Sequence, residues 1–559
     1  MTSLCQKLAA MEKNWTDVRR REIVYAALAG AVISLAMHWP LPLYMGRDVP
    51  RDLGDPLPQA WQVAWDGHAL LHQPLDFFQA NVFWPLKNSL AFSDALVGYA
   101  PAGLIGSGPH AAIVRYDLLF LFAYALAFLG AYLLARELGA GKVGAAVAGA
   151  AFAYAPWRLE QDGHLHVLSS GGIPLALFLL VRGYRRGSAR LVVAGWAVAA
   201  WQLSLGFSLG IQFAYLLLVL GAGVLAFGWR PPRGTLLGTA LGGLAFVLVA
   251  LLLALPYLEV GRDHPESKRT DATVAAFSGW PRMYLAPPGA NTVWSGITVE
   301  QRRRLKFVPE QTLFPGLAIV VLSLVCLVSG AYSRRLRWGL LGGVLVCAWL
   351  ALGFHEGSFP WPYELLYHHL PGWESSRTPS RLNTLTSLGL ALLAAGGATW
   401  LAARVRRPRL RLALAGALVA VVLAEGAGFS FEGAVSGPAH PTVPPEPAGQ
   451  RGLAAPQLHL PMSREGNRRY ALWSTAGFPR IVNGRASFQP TLTTAIAAGV
   501  AGFPDAPSVA RLRALGVRTV VLHPALAART SWEGAERKPL SGLPLTRERR
   551  GQVVVFYLR

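Results

Sequence analysis

Charge is the scarcest property of this chain. Of 559 residues only 15% are Asp, Glu, Lys or Arg, where a soluble domain averages about 25%. That argues against an ordinary soluble protein. Acids are rarer than bases, 30 against 52, so the formal net charge is +22. In a soluble chain such an excess would point to nucleic acid. In a membrane protein it follows from topology, because Lys and Arg gather in cytoplasmic loops. Cysteine is nearly absent. Cys5 lies near the N-terminus, and Cys326 and Cys347 lie inside apolar runs, so neither a disulfide framework nor a metal-ligand spacing follows. No internal repeat is evident, which counts against a secondary transporter built on inverted repeats. Apolar residues are plentiful: 53% of the chain is hydrophobic and the mean hydropathy is +0.36, which excludes disorder.

A membrane-spanning helix needs about 20 mostly apolar residues. Eleven segments are read as spans: 22–40, 117–135, 143–157, 168–181, 191–206, 207–227, 235–257, 313–330, 338–354, 384–403 and 412–428. The run 95–109 is also apolar, but its fifteen residues include two Pro and four Gly, so it reads as an interfacial or re-entrant segment. Charge tests this count. With the N-terminus inside, the cytoplasmic stretches 1–21, 136–142, 182–190, 228–234, 331–337 and 404–411 hold 21 Lys and Arg, and their only acids are Glu12, Asp17 and Glu137. The outer stretches 41–116, 158–167 and 355–383 hold seven, and the outer loop 258–312 is the exception with eight. Counting 95–109 as a span would put the Arg-rich loops outside. The positive-inside rule therefore predicts eleven spans, N-terminus in and C-terminus out. The first apolar run follows 21 mostly polar residues with no small-residue cleavage site after it, so it reads as an anchor, not a signal peptide.

The expected fold is thus a polytopic α-helical membrane protein with a small extracytoplasmic α/β domain. Residues 1–21 form a cytoplasmic N-terminus, 22–428 the transmembrane domain, and 429–559 the outer domain. The tail opens with a linker rich in proline (Pro438, Pro441, Pro444, Pro445, Pro447). LAAPQLHLP and YALWSTAGFPRIVNG read as strands with a turn at Asn483-Gly484, SVARLRALGVRTVVLH as helix then strand, and VVVFYLR as a closing strand.

The outer loop 41–116 carries six acids, Asp48, Asp52, Asp55, Asp66, Asp76 and Asp94, with His68, His72 and many aromatics. After Asp55, the stretch PLPQAWQVAWDGHALL has amphipathic helical spacing, which suits an interfacial helix with Trp at headgroup level. A carboxylate at its start is stabilised by the helix dipole. Asp48, Asp52 and Asp76 read as solvated loop charges, and Asp66 as a partner for a nearby base. The next outer loop concentrates Arg158, Glu160, Gln161, Asp162, His164 and His166. Before the tenth span, Arg377 and Arg381 are four apart and share a face if the helix has already begun. A guanidinium fork there suits a phosphate.

These residues resemble the GT-C superfamily of membrane glycosyltransferases, and within it bacterial YfhO-like and family-39-like membrane proteins. The resemblance rests on GDPLPQAWQVAWDGHALL (54–71), QANVFWPLKNSLAFSDALVG (79–98), RLEQDGHLHVL (158–168), RTPSRLN (377–383) and GFPRIVNGRASFQP (477–490). It implies an inverting hexosyl- or pentosyltransferase of the inner membrane. A polyprenyl-phosphate sugar would be the donor, and an envelope glycan, lipid or protein the acceptor. Membrane lipid is a partner and nucleic acid is not. The family's essential acid after the first span maps onto Asp55 as catalytic base. A second acid maps onto Glu160 or Asp162. Asp94, a further candidate catalytic acid, stands where relatives often have Glu. His68, His164, His166, Arg377 and Arg381 are the implied substrate-binding residues. No Asp-x-Asp or Asp-Asp pair occurs in the first loop, so a divalent cation (Mg or Mn) stays open and no other cofactor follows. Two other readings compete: a flippase for lipid-linked sugars, which needs ionisable groups near mid-membrane, and a non-catalytic envelope assembly protein.

Overall fold

Apolar runs satisfy their backbone polar groups most simply by closing them into helices, and all eleven candidate spans are mainly helical in the computed structural model. It describes residues 18–228, 230–355, 361–427 and 440–559. Most of the expected cytoplasmic N-terminus (1–17, with Cys5), the last residue of the expected eleventh span (428) and the expected start of the tail (429–439, with Pro438) lie outside the described residues. The principal helices are α1 (Arg20–Met37), α2 (Pro56–His72), α3 (Gly108–Glu137), α4 (Lys142–Tyr154), α5 (Gly172–Arg186), α6 (Ala189–Leu205), α7 (Phe207–Ala226), α8 (Arg233–Asp263), α9 (Leu317–Val328), α10 (Arg334–Leu350), α11 (Asn383–Arg404), α12 (Pro408–Gly426), α13 (Arg464–Trp473), α14 (Thr491–Gly499) and α15 (Ala506–Ala514).

Among the described residues, five segments are long and apolar enough to cross a membrane: Gly108–Glu137, Leu165–Arg186, Phe207–Ala226, Arg233–Asp263 and Pro379–Arg404. Ala189–Leu205 and Leu317–Val328 are apolar but shorter. Large apolar side chains on α7 and α8, among them Leu218, Val219, Leu225, Leu237, Leu251 and Leu252, are exposed. A soluble surface rarely carries so many together; the chain is a membrane protein. The 95–109 run makes two short turns, Val97–Tyr99 and Ala100–Gly103. Helix α3 then starts at Gly108, nine residues before the expected span. The early start is held by Arg115, whose guanidinium donates to the Ile105 and Gly106 carbonyls.

The chain folds as two compact units. The first comprises Met1–Pro40, Leu119–Leu252 and Arg269–Pro438. Here α11 packs through small residues: Ala391, Ala394, Ala395 and Ala398 are fully buried, and a Cβ on Gly397 would collide with the Leu322 backbone of α9. Such small-residue faces let apolar helices approach closely. Ion pairs gather one set of helix ends. Glu22 at the start of α1 meets Arg136 near the end of α3 at 2.6 Å. Glu137 meets Arg182 and Arg185 near the end of α5 at 2.9 and 3.4 Å. Rings gather the other ends. His38, just after α1, lies 4.3 Å from Tyr124 of α3, which stacks on Tyr154 at the end of α4 at 5.2 Å. Glu425 of α12 accepts from the Leu317 and Ala318 amides at 3.0 and 2.7 Å, placing a carboxylate at the positive end of α9.

The second unit comprises Leu41–Leu118, Leu253–Lys268 and Ala439–Arg559. Its sheet has the order β1-β2-β4-β3 (Gln457–Leu460, Thr519–Leu522, Val553–Leu558 and Leu545–Arg550 respectively). Strand β1 runs parallel to β2, and the other two pairings are antiparallel. Leu458, Val520, Phe556, Ile496 of α14 and Leu512 of α15 share its core.

Two tail expectations are corrected. YALW belongs to helix α13, because the Ser463 hydroxyl accepts from the Gly466 amide at 2.9 Å and caps it. Asn483 is no solvated turn: it is fully buried, accepts from the His459 amide at 2.7 Å and donates to the His459 carbonyl at 2.9 Å. The segment before it pairs with the loop 41–116 instead. Phe83 and Trp84 amides donate to the Asn483 and Ile481 carbonyls at 3.1 and 3.0 Å.

Candidate functional site

Six of the nine expected site residues belong to the first unit (Glu160, Asp162, His164, His166, Arg377, Arg381) and three to the second (Asp55, His68, Asp94).

In the first unit, the loop after α4 folds into two short helices, Pro156–Leu159 and Leu165–Leu168, with a turn between them. Polar groups hold it from within. Arg158, only 1% exposed, donates to Ser170 Oγ at 2.6 Å and to the Leu168 carbonyl. Its guanidinium lies 5.3 Å from the Tyr124 ring centre, and Tyr124 donates to the Asp162 carboxylate. Asp162 and Glu160 are both buried. Gln161, fully buried, donates to the Pro309 carbonyl and bonds His164 Nδ1 at 2.8 Å. The His164 and His166 rings meet edge-on at 5.8 Å. Arg381 is an electrostatic neighbour of His166. It is also paired with Glu310, Nη2 to Oε1 at 3.3 Å, and Ser380 Oγ donates to the same carboxylate at 3.1 Å. Burial alone would raise the Glu310 carboxyl. Arg381 and His164, with the hydrogen bonds from Ser380 and Arg381, outweigh that and hold it below the usual carboxylate value.

In the first unit Glu310, a residue the sequence reading missed, therefore joins Arg381 to His164, with His166 beside both Arg381 and His164. Its signal was thin: one of six carboxylates in the basic loop 258–312, between Val308 and Leu313. Arg377 is elsewhere. Helix α11 starts only at Asn383, with a 3-10 turn at Pro379–Leu382 before it, so Arg377 and Arg381 do not share a helix face. The Arg377 guanidinium sits 5.0 Å over the Phe277 ring.

In the second unit, Asp55 immediately precedes α2, where Pro56 occupies the first turn. Its side chain is 46% exposed and 3.7 Å from Arg468 Nη2 of α13. A partner 413 positions along the chain leaves no local signal. Helix α2 is more buried than expected. Trp61 and Trp65 are inside, donating to Asn81 Oδ1 and the Phe77 carbonyl at 2.9 and 3.1 Å. The exposed large apolar residues of this stretch are instead Leu70, Leu71 and Leu75. Asp48 is also no solvated charge: it is 4% exposed and accepts from Arg47 and from Thr442 Oγ1 at 2.7 Å.

Asp94 lies beside the middle of α2, where Gln62 donates to its carbonyl at 3.1 Å. The next amide, Ala95, donates to the Tyr257 hydroxyl at 2.9 Å. His68 stacks on His72 at 4.4 Å and meets Phe478 at 4.5 Å. Burial first, and the neighbouring His72 second, lower its pKa. Thirteen helical positions separate Asp55 from His68, about 20 Å along the axis, so α2 does not bring those two together. Asp66 is fully buried with neither carboxyl oxygen hydrogen-bonded, so it has not found the base expected for it. Burial drives its pKa well above the ordinary value.

Among the described residues, no group of three or more His, Cys, Asp or Glu is arranged to hold a metal ion.

This chain is similar to the arabinofuranosyltransferase AftD from Mycobacteria. Two AftD structures match at 15% identity, with TM-scores of 0.59 and 0.56, over 97% and 98% of this chain. The chain spans only 42% of the AftD chain. At such identity the likeness shows the fold alone: over nearly its whole length the chain shares the fold of the matched part of AftD. The Archaeoglobus fulgidus oligosaccharyltransferase matches at 15% identity over 90% of this chain and 68% of its own, with a TM-score of 0.43. ArnT from Cupriavidus metallidurans matches at 15% identity over 96% of each chain, with a TM-score of 0.34. Scores that low carry no argument. No family model and no curated protein matches the sequence.

Proposed function

We propose that the chain is an inverting glycosyltransferase on the outer face of a bacterial inner membrane. It moves a hexosyl or pentosyl group from a polyprenyl-phosphate donor to an envelope acceptor. The observation that carries this reading is Asp55: a half-exposed carboxylate at the mouth of α2, beside one guanidinium, in the loop after the first apolar helix of a chain that shares the fold of the matched part of AftD. A carboxylate so held is suited to take the proton of an acceptor hydroxyl. As that oxygen bonds to the anomeric carbon, the carbon–oxygen bond to the phosphate breaks through an oxocarbenium-like state. The electron pair leaves with the lipid phosphate. One displacement inverts the carbon.

The other residues take roles that fit their surroundings. Arg381, directed by Glu310, and Arg377, against Phe277, stabilise the departing phosphate. Glu160 and Asp162 are the second acids. Asp162 orders the loop through Tyr124, which leaves Glu160 closer to a chemical role. Asp94 is a further candidate acid beside α2, and His68, His164 and His166 contact substrate groups. An N-in, C-out, multi-pass topology is supported by the 21 Lys and Arg of the cytoplasmic stretches. It is supported too by the ion pairs that gather the start of α1 with the ends of α3 and α5.

Mass spectrometry of envelope glycans, glycolipids and glycoproteins from a strain lacking this chain tests the reading. One missing sugar, with its lipid-linked donor accumulating on the outer leaflet, is expected. Donor trapped on the inner leaflet would mark a flippase. A complete set of envelope sugars would overturn the proposal.

A further inference from the structure

Two motifs that the transfer chemistry leaves unused, Phe83-Trp84-Pro85 and Gly477-Phe478-Pro479-Arg480, meet in the second unit. Their backbones pair: Trp84 N donates to the Ile481 carbonyl at 3.0 Å, and Ile481 N to the Asn81 carbonyl at 2.7 Å. Beside this seam is an open cleft of about 540 Å³, lined by Trp84, Phe478, Pro479, Arg480, Gly516 and Arg518 among others. Trp84 is fixed by its Nε1, which donates to the Leu515 carbonyl at 3.2 Å. Phe478 is backed by His68 at 4.5 Å. Arg480 and Arg518 are both exposed. The Arg480 guanidinium lies 5.0 Å from the Trp84 ring centre, so the indole orients it. Among the described residues neither arginine has a carboxylate partner.

The backbone adds an independent observation. Phe83 and Phe478 both hold positive φ, 62° and 50°. Bulky residues rarely adopt that region, and such strain collects at ligand clamps, where the surroundings over-determine it. Here it sits in both motifs that frame the cleft.

An apolar wall of Trp84, Phe478 and Pro479 suits the C–H face of a sugar ring. Two guanidinium forks without carboxylates suit a carboxylate or phosphate carried on that sugar. We propose that this cleft binds an anionic saccharide, a segment of the acceptor glycan. The binding stands on the cleft alone; its role as acceptor docking rests on the transferase reading.

Calorimetric titration of the full-length protein in neutral detergent tests this, with trigalacturonate, glucose 6-phosphate and maltotriose as probes. Trigalacturonate or glucose 6-phosphate should bind, and whichever binds names the anionic group. Neutral maltotriose should bind at least roughly tenfold more weakly, because it lacks the charge-assisted hydrogen bonds. The double substitution Arg480→Gln with Arg518→Gln should weaken the anionic probe by a similar factor and leave the unfolding temperature unchanged. Absence of binding by both anionic probes, equal binding of maltotriose, or full affinity in the double variant would overturn the proposal. So would displacement of the bound anion by phosphatidylglycerol nanodiscs but not by phosphatidylcholine nanodiscs, which would make the cleft a lipid-headgroup site. No donor or turnover enters the titration. A chain that binds the anionic saccharide yet transfers no sugar would retire the transferase reading and leave the cleft assignment intact.

Discussion

Asp66, in the second unit, is a side chain whose environment opposes its ordinary charge state. It is fully buried, makes no hydrogen bond, and keeps its proton far above the 3.8 of a free aspartate. Below that value both folded and unfolded chains hold the proton. As pH rises past it, the unfolded chain releases its proton while the folded chain does not. Stability therefore falls with rising pH by up to roughly 1.4 kcal/mol per unit until the folded value is reached. Asp66→Asn removes this dependence: between pH 5 and pH 8 its unfolding temperature in detergent should fall less than the parent's. Parallel curves would show that Asp66 is ionised in the fold. The Glu310–Arg381 pair is the opposite case in the first unit, a buried carboxyl kept ionised by its partners. Glu310→Ala removes the carboxylate paired with a guanidinium that is 14% exposed and should cost up to about 3 kcal/mol, read by denaturant unfolding. Arg381→Lys keeps charge but loses the planar fork, so donor KM should rise about tenfold. At this scale the sequence shows which residues carry charge but not their partners. Asp55–Arg468 and Arg381–Glu310 join positions 413 and 71 apart, and such pairs have no local spacing to read.

Helix α2 meets the turn Ala100–Gly103 through two glycines. A Cβ on Gly67 would collide with the Gly103 backbone, and one on Gly103 with the Val63 carbonyl. Gly67→Ala or Gly103→Ala should each destabilise the second unit by about 1–3 kcal/mol, measured by denaturant unfolding. An unchanged midpoint would mean that the contact yields. Elements of this kind were only half legible. The helix 56–72 is written in its amphipathic spacing, but its burial is not, because the partners of Trp61 and Trp65 come from the following loop. Among the described residues, helix within the apolar runs was legible because length and hydropathy are local properties. Helix α13 was not: its apolar residues cluster at Tyr470–Trp473, which looks like a strand until the Ser463 cap is seen. Strand β3 (LTRERR) is polar with three exposed central residues, so no apolar alternation marks it.

For the whole molecule, the Lys and Arg distribution was the most informative feature, since it bears on orientation without any contact being known. A reporter enzyme active only in the cytoplasm, fused after Arg559, should be silent. Activity there would reverse every outer and inner assignment. The fold class was legible through motifs whose structural use was not: GFPRIVNG pairs with NVFW, an association between distant segments. The central claim is sugar transfer with Asp55 as base, and the most direct measurement is the transfer rate from a polyprenyl-phosphate sugar. General-base help is worth roughly 10²–10⁴-fold. Asp55→Asn should therefore insert and fold as the parent does yet lose transfer by about that factor, while Asp76→Asn, an exposed loop charge, keeps the parent rate. Transfer by Asp55→Asn at the parent rate would contradict the assignment, and loss in Glu160→Gln instead would move the base to the first unit.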